Sequence, residues 1–310
     1  MIEATNLTKR YGTKTAVDGV SFVVEPGTVT GFLGPNGAGK STTMRMIVGL
    51  DAPTSGHVTV NGKPYADHAS PLHEVGALLE AKAVHTGRSA RNHLRALAAT
   101  HGMGARRVDE VIDMTGLGAV ANKRVGGFSL GMGQRLGIAA AMLGDPRTLI
   151  LDEPVNGLDP EGVKWVRTMV RYLADDGRTV FLSSHLMSEM AITADHLIVI
   201  GRGRILTSGP VQQVIDATSG TSVTVRSPGA SQLAELLAAS GVSISASEPG
   251  VLSVRGVDAA VIGDTAARHG IALHELTPVR ASLEEAFMTL TADEVEYHSA
   301  GTHVQEGAAA

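Results

Sequence analysis

The nine residues Gly34-Pro35-Asn36-Gly37-Ala38-Gly39-Lys40-Ser41-Thr42 constrain this chain more than any other segment. They follow the apolar run Thr28 to Leu33, which predicts a strand, and lead into Thr42 to Leu50, which predicts a helix. A strand joined to a helix by a glycine-rich loop ending in Lys-Ser is the context of a phosphate-binding loop. Gly34, Gly37 and Gly39 have no Cβ, so successive N–H groups can curl around an anion at the positive end of the helix that follows. Lys40 then reaches the β- and γ-phosphates of a nucleotide, and the Ser41 hydroxyl ligates a bridging Mg²⁺. The ligand expected is therefore a magnesium-bound nucleoside triphosphate.

A second site is expected where Thr148-Leu149-Ile150-Leu151 ends in Asp152-Glu153. A buried strand that stops at two carboxylates places Asp152 to hold the metal, directly or through water. Glu153 is placed to orient or deprotonate an attacking water.

Around these sites the pattern alternates. Leu7 to Tyr11, Val17 to Val24 and His57 to Val60 read as strands, the last running into the turn pair Asn61-Gly62. Arg88 to about Leu143 reads as helical. Strands at 148–151 and 179–182 flank a helix at 161–173, and 197–208 reads as a hairpin around Gly201 and Gly203. Alternating strands and helices imply a largely parallel sheet covered on both faces.

Composition excludes several classes. The chain has 310 residues, room for about two domains, and no Cys, so no disulfide or thiolate metal site exists. No apolar stretch approaches the roughly 20 residues of a membrane span, and the polar start is not a secretory signal. From Thr221 onward four basic residues face eleven acidic ones, a net −7; the whole chain carries −5, leaving +2 for residues 1–220. That balance argues against a nucleic-acid grip. Apart from His185, the eleven histidines lack metal-site spacing and read as surface residues. Asp175-Asp176-Gly177 reads as a turn, not a calcium loop.

Between the two chemical sites lies Phe128-Ser129-Leu130-Gly131-Met132-Gly133-Gln134-Arg135, and here the chain resembles the ATP-binding subunits of ABC transporters. Ser129, Gly131 and Gln134-Arg135 match the signature of that family; Leu130 and Met132 depart from it. The resemblance implies that Ser129 and Gly131, at a helix start, bind the γ-phosphate of ATP held by a partner subunit. It further implies that Asp159, in Asn156-Gly157-Leu158-Asp159, lies at the dimer interface, and that His185 contacts the γ-phosphate. Tyr11 would stack on adenine. Glu80 stands where the family usually has glutamine and would touch Mg²⁺ or the attacking water. Against a triphosphate its carboxylate adds repulsion unless Mg²⁺ neutralises it, which would make closure strongly Mg²⁺-dependent.

The resemblance covers residues 2 to about 215 and implies an α/β P-loop NTPase of the ABC ATPase kind. Its parts are a β-subdomain, a mostly parallel core sheet and a helical subdomain. The expected organisation is an ATP-binding domain at 1–218, a small C-terminal α/β domain at 219–292 and a disordered tail at 293–310. In the small domain Leu233, Leu236 and Leu237 mark one helix face. Leu283, Ala286, Phe287 and Leu290 mark another, opened by the capping box of Ser282 and Glu285. That domain reads either as a dimer-stabilising or regulatory module or as inert packing.

The implied function is ATP hydrolysis by a homodimer closed around two ATP molecules, with Glu153, Lys40 and His185 catalytic. The motor would drive a separate integral-membrane permease from the cytoplasmic face, exporting a drug-, antibiotic- or lipid-like compound. The branch resembled is that of bacitracin and daunorubicin export. The alternative is a soluble ABC ATPase acting on ribosomes or DNA, which the single P-loop and the lack of a heptad run disfavour.

Overall fold

The computed structural model describes residues 1–79, 84–219, 221–238 and 241–292. Glu80 and the tail expected at 293–310 lie outside the described residues. In chain order the strands and helices are β1 (Ile2–Tyr11), β2 (Lys14–Val24), β3 (Val29–Leu33), α1 (Lys40–Ile47), β4 (Ser55–Val60), α2 (Pro71–Glu74), β5 (Val75–Leu78), α3 (Ala90–Thr100), α4 (Ala105–Met114) and α5 (Leu130–Met142). They continue with β6 (Thr148–Leu151), α6 (Pro160–Asp175), β7 (Thr179–Ser183), α7 (Met187–Thr193), β8 (His196–Gly201), β9 (Arg204–Pro210) and α8 (Val211–Ser219). The last elements are β10 (Thr221–Arg226), α9 (Ala230–Leu237), β11 (Ser243–Glu248), β12 (Val251–Arg255), α10 (Ala259–Arg268), β13 (Glu275–Arg280) and α11 (Leu283–Thr291).

The central sheet runs β5-β6-β7-β3-β8-β9, parallel up to β8, with β9 returning antiparallel at the edge. Strands β3, β6 and β7 are buried along their whole length, as expected for parallel strands covered on both faces. Their side chains sort by parity. Leu149, Leu151, Val180, Leu182, Leu197 and Val199 face one core; Ile150, Phe181, Ile198 and Ile200 face the other. The first core is closed by the helical segment, through Leu94, Val111, Ile112 and Leu136, and by α6, through Val166 and Val170. The second lies under the antiparallel sheet β2-β1-β4, where Phe22, Phe32 and Phe181 meet with ring centroids 5.1–6.1 Å apart. Helix α1 completes it with Met44, Met46 and Ile47.

The predicted turns form. Asn61 and Gly62 both take positive φ, 50° and 82°. The β8–β9 hairpin closes through Arg202 and Gly203 at 41° and 80°, the two-residue geometry that suits strand twist. Helix α1 begins earlier than the expected Thr42, at Lys40. Gly39, with φ 110°, ends the loop directly before it, so Lys40 and Ser41 stand in the first helical turn.

Beyond residue 220 the order is β-α-β-β-α-β, with an antiparallel sheet β11-β12-β10-β13. This is the ferredoxin-like arrangement of two split β-α-β units. Strands β11 and β13 were not among the expected elements; their Ser-rich and Pro-interrupted sequences, SISASE and ELTPVR, carry little apolar signal. Helices α9 and α10 cover one sheet face, burying Leu233, Leu237, Ile262 and Ala266 against Val223, Val225 and Val254. Leu236, expected on that buried face, is 40% exposed. The stripe through Ala230, Leu233 and Leu237 already spans the contact.

Helix α11 departs further from expectation. Leu283 and Ala286 join the first core of the nucleotide-binding unit, with Phe287 and Leu290 packed against it, beside Val214, Ile215 and Met190. The small sheet is already covered by two helices, so the apolar face of α11 finds its partners on α7 and α8. The capping box of Ser282 and Glu285 that starts α11 is present with both hydrogen bonds.

Candidate functional site

The P-loop is held open by contacts that only glycine permits at two places. A Cβ on Gly34 would collide with the Ile200 carbonyl. At Gly39 it would lie 2.6 Å from the Ala16 carbonyl, on a backbone with φ 110° that L-residues rarely adopt. The β8–β9 hairpin and the start of β2 therefore brace the loop from behind. The first-turn N–H groups of α1, which have no partner within the helix, point out of it.

Within this cradle Lys40 Nζ donates to the carbonyls of Gly34 at 2.5 Å and Pro35 at 3.2 Å. Burial lowers its pKa, opposed by the nearby charges of Glu153 and Asp152. A cavity of about 230 Å³ is lined by Ala16, Asn36 to Thr42, Asp152 and Glu153. A smaller neighbour of about 140 Å³ adds Lys14, Thr15 and Arg202.

The two carboxylates that follow β6 meet the loop from across β7, which lies between β6 and β3 in the sheet. Ser41 Oγ donates to Asp152 Oδ2 at 2.6 Å, and Ser183 Oγ donates to Asp152 Oδ1 at 2.5 Å. The Ser41 hydroxyl and the Asp152 carboxylate thus form a pair of hard oxygen donors of the kind Mg²⁺ prefers. Ser183 Oγ also accepts from the Glu153 amide at 2.9 Å, so one hydroxyl touches both acids. Parallel pairing of Leu151 with Leu182 sets Asp152 beside Ser183.

Glu153 has φ 52°, unusual for a non-glycine residue and more so before Pro154, which disfavours helical backbone. Its position is fixed on every side. His185 N–H donates to Glu153 Oε2 at 3.2 Å and His185 Nδ1 lies 2.6 Å from the same oxygen. The Glu153 carbonyl accepts from the buried Gln134 side chain at 2.9 Å and from Asn156 N–H at 3.1 Å. Such strain is found where surrounding structure over-determines a functional residue.

The remaining expected site residues lie elsewhere. Ser129 caps α5 by accepting from Met132 N–H at 3.2 Å, and Asp159 caps α6 by accepting from Gly162 N–H at 2.9 Å. Gly131 packs against Gly157, where a Cβ would come within 3.0 Å of the carbonyl. None of these three lines the P-loop cavity. Arg135 serves structure: its guanidinium lies 4.7 Å from the Trp165 ring and donates to the Thr115 carbonyl. Tyr11 is half exposed at the end of β1, its hydroxyl bonded to Asp51 at 2.9 Å and near Thr42, with Lys9 5.0 Å from its ring.

Two residues that complete the site were not foreseen. Ser183 reads as the polar end of a strand, and Gln134 as part of a signature tail; only strand register and helix packing give them their partners.

Comparison with known proteins identifies the family. The ABC transporter family profile matches residues 17–156, and a domain of unknown function, DUF8746, matches residues 221–284. The bacitracin transport ATP-binding protein BcrA of Bacillus licheniformis is 42% identical over 213 residues, 68% of this chain and 70% of that one. The daunorubicin resistance ATP-binding protein DrrA3 of Streptomyces coeruleorubidus is 34% identical over 298 residues, 92% and 94% of the two chains. A solved ATP-binding subunit of an ABC transporter, 26% identical, superposes with a TM-score of 0.65 over 71% of this chain and 94% of its own. The chain belongs to the ATP-binding subunits of ABC transporters, nucleotide-binding P-loop ATPases whose hydrolysis of ATP powers transport.

Proposed function

We propose that two copies of this chain close face to face around two Mg²⁺-ATP molecules and so drive a separate membrane permease that exports a drug-, antibiotic- or lipid-like compound. The observation that carries this reading is the division of the site between two surfaces. Lys40, Ser41, Asp152 and Glu153 converge on one cavity, while Ser129 and Gly131 open α5 outside it. A helix start offering a hydroxyl and N–H groups can bind an anion, and this one does not line the cavity of its own chain. A second copy supplies that anion.

In this scheme the P-loop N–H groups of residues 34–42 and Lys40 hold the β- and γ-phosphates, and Tyr11 stacks on adenine. Mg²⁺, held by Ser41 and Asp152, would neutralise charge on the transferring phosphoryl group. Glu153 accepts a proton from the attacking water, and its contact with His185 keeps the carboxylate turned to the γ-phosphate side. Asp159 keeps its capping role at the start of α6 and stands at the seam between copies. The role proposed for Glu80, as metal ligand and sensor of the permease, falls on a residue outside the described ones.

The relatives support the cargo class through their names, bacitracin transport and daunorubicin resistance. Among the described residues no helix is long and apolar enough to cross a membrane. The motor would therefore reach the membrane through its permease, from the cytoplasmic side. The acidic C-terminal portion supports a partner other than nucleic acid.

Replacing Glu153 by Gln tests the scheme. General-base catalysis contributes about 10² to 10⁴ in rate, so hydrolysis should slow by that factor, a barrier rise of roughly 3 to 5 kcal/mol. Light scattering should then show an ATP-dependent dimer. Wild-type turnover by Glu153→Gln, or a blocked enzyme that binds ATP and stays monomeric, overturns the reading.

A further inference from the structure

We infer that Gln134 is a positioning residue, one that ties the signature helix α5 to the catalytic carboxylate of the same chain. The inference rests on the reading of Glu153 as the base proposed above. Gln134 is 4% exposed, on a helix whose other buried residues, Leu136, Ile138, Ala139, Ala141 and Met142, are all apolar. A primary amide in that setting is costly unless it is hydrogen-bonded. Its Nε2 donates to the Glu153 carbonyl at 2.9 Å.

That bond matters because of the backbone it meets. Glu153 sits at φ 52° before Pro154, far from the extended region that a residue preceding proline prefers. Two tethers on either side of its Cα hold it there. Ser183 Oγ grips the amide, and Gln134 together with Asn156 N–H grips the carbonyl. Fixing both peptide planes fixes the direction of the Cα–Cβ bond, and with it the aim of the carboxylate. Removing the Gln134 donor leaves the carbonyl on Asn156 N–H alone, which loosens that peptide plane and lets the carboxylate swing from its aim.

Gln134 also lies on the helix that Ser129 opens. Five residue steps along the helix, a rise of about 7.5 Å, separate the capping residue from the tether. How α5 is seated by the partner's nucleotide is therefore felt at the peptide of this chain's own base. Gln134 links the half-site that a chain lends to the half-site in which it hydrolyses.

The test is steady-state phosphate release and binding of a fluorescent ATP analogue, on the full chain, for Gln134→Met with and without Glu153→Gln. Methionine keeps the length and shape and removes the donor, while Asn156 N–H keeps the carbonyl bonded, so the fold is retained. Misplacing a catalytic group by about 1 Å costs up to ~10²-fold. A fall in kcat of roughly ten- to a hundredfold is expected, with nucleotide affinity within about twofold of wild type. In the Glu153→Gln background the same substitution should change nothing, because the group it aims is already gone.

Wild-type kcat in Gln134→Met overturns the inference. So does an equal fold-loss in both backgrounds, or a parallel loss of nucleotide affinity, each of which assigns Gln134 to packing alone. Should Gln134→Met fail to fold, Gln134→Asn carries the test: it keeps the amide but falls short by one methylene, and the same split is expected. Wild-type hydrolysis by Glu153→Gln alone is the separate outcome that removes Glu153 as base, and the inference with it.

Discussion

Replacing Ser183 by Ala removes one oxygen from a fully buried position and disturbs both acids at once. Ser183 Oγ donates to Asp152 at 2.5 Å and accepts from the Glu153 amide at 2.9 Å. Losing the first bond deprives a carboxylate of a charge-assisted donor; losing the second strands an N–H inside the protein. Each loss is worth about 1 to 3 kcal/mol, and since the Asp152 carboxylate keeps its bond to Ser41 the sum should be about 2 to 4 kcal/mol. For a domain of this size the melting temperature falls by about 2 °C per kcal/mol, so the shift expected by circular dichroism is about 4 to 8 °C. Phosphate release should fall as well, by up to ~10²-fold, because the amide that anchors Glu153, the proposed base, has been freed. Ser183→Thr, which keeps the hydroxyl, should recover most of both losses. If Ser183→Ala melts within about 1 °C of wild type and hydrolyses ATP at the same rate, the reasoning that one hydroxyl braces both Asp152 and Glu153 is refuted.

Two further outcomes follow from the packing and the charges. Leu283 is 3% exposed where α11 docks on the nucleotide-binding unit, so Leu283→Ala should cost about 2 to 5 kcal/mol. Limited proteolysis should then cut the variant between residues 280 and 292 faster than wild type, and unchanged protection would show that the docking contributes little. The Arg178 guanidinium, 2.7 Å from Asp145, holds that carboxyl below the usual carboxylate range. A depressed carboxylate pKa means the contribution is present above the unfolded value, near 4, and is lost as pH falls through the folded value below it. Melting temperature against pH should therefore drop less steeply on the acid side for Arg178→Ala than for wild type; identical acid limbs would show that the pair is screened to nothing.

Much of the candidate site was legible in the sequence because its residues sit on short contiguous motifs. The segment from Gly34 to Thr42 carries its own backbone requirements, and an apolar strand ending in Asp152-Glu153 announces where two carboxylates emerge. Parallel strands buried on both faces show as apolar runs, so β3, β6 and β7 could be read without a partner in view. Local periodicity failed where local signal was weak or ambiguous. Strands β11 and β13 are too polar to stand out, and the apolar face of α11 reads the same whether it covers the small sheet or, as it does, α7 and α8.

Tertiary structure alone decided the rest, because its decisive contacts join residues far apart in the chain. Ser183 meets Asp152 across 31 positions and Gln134 meets the Glu153 carbonyl across 19. Strand register and helix seating set both distances, and neither leaves a trace in the residues on either side. The amino-acid order thus determined that a phosphate cradle and a pair of acids exist. The fold determined how Glu153 is held and which helix holds it, since direction in space is a property of packed elements and not of any one segment.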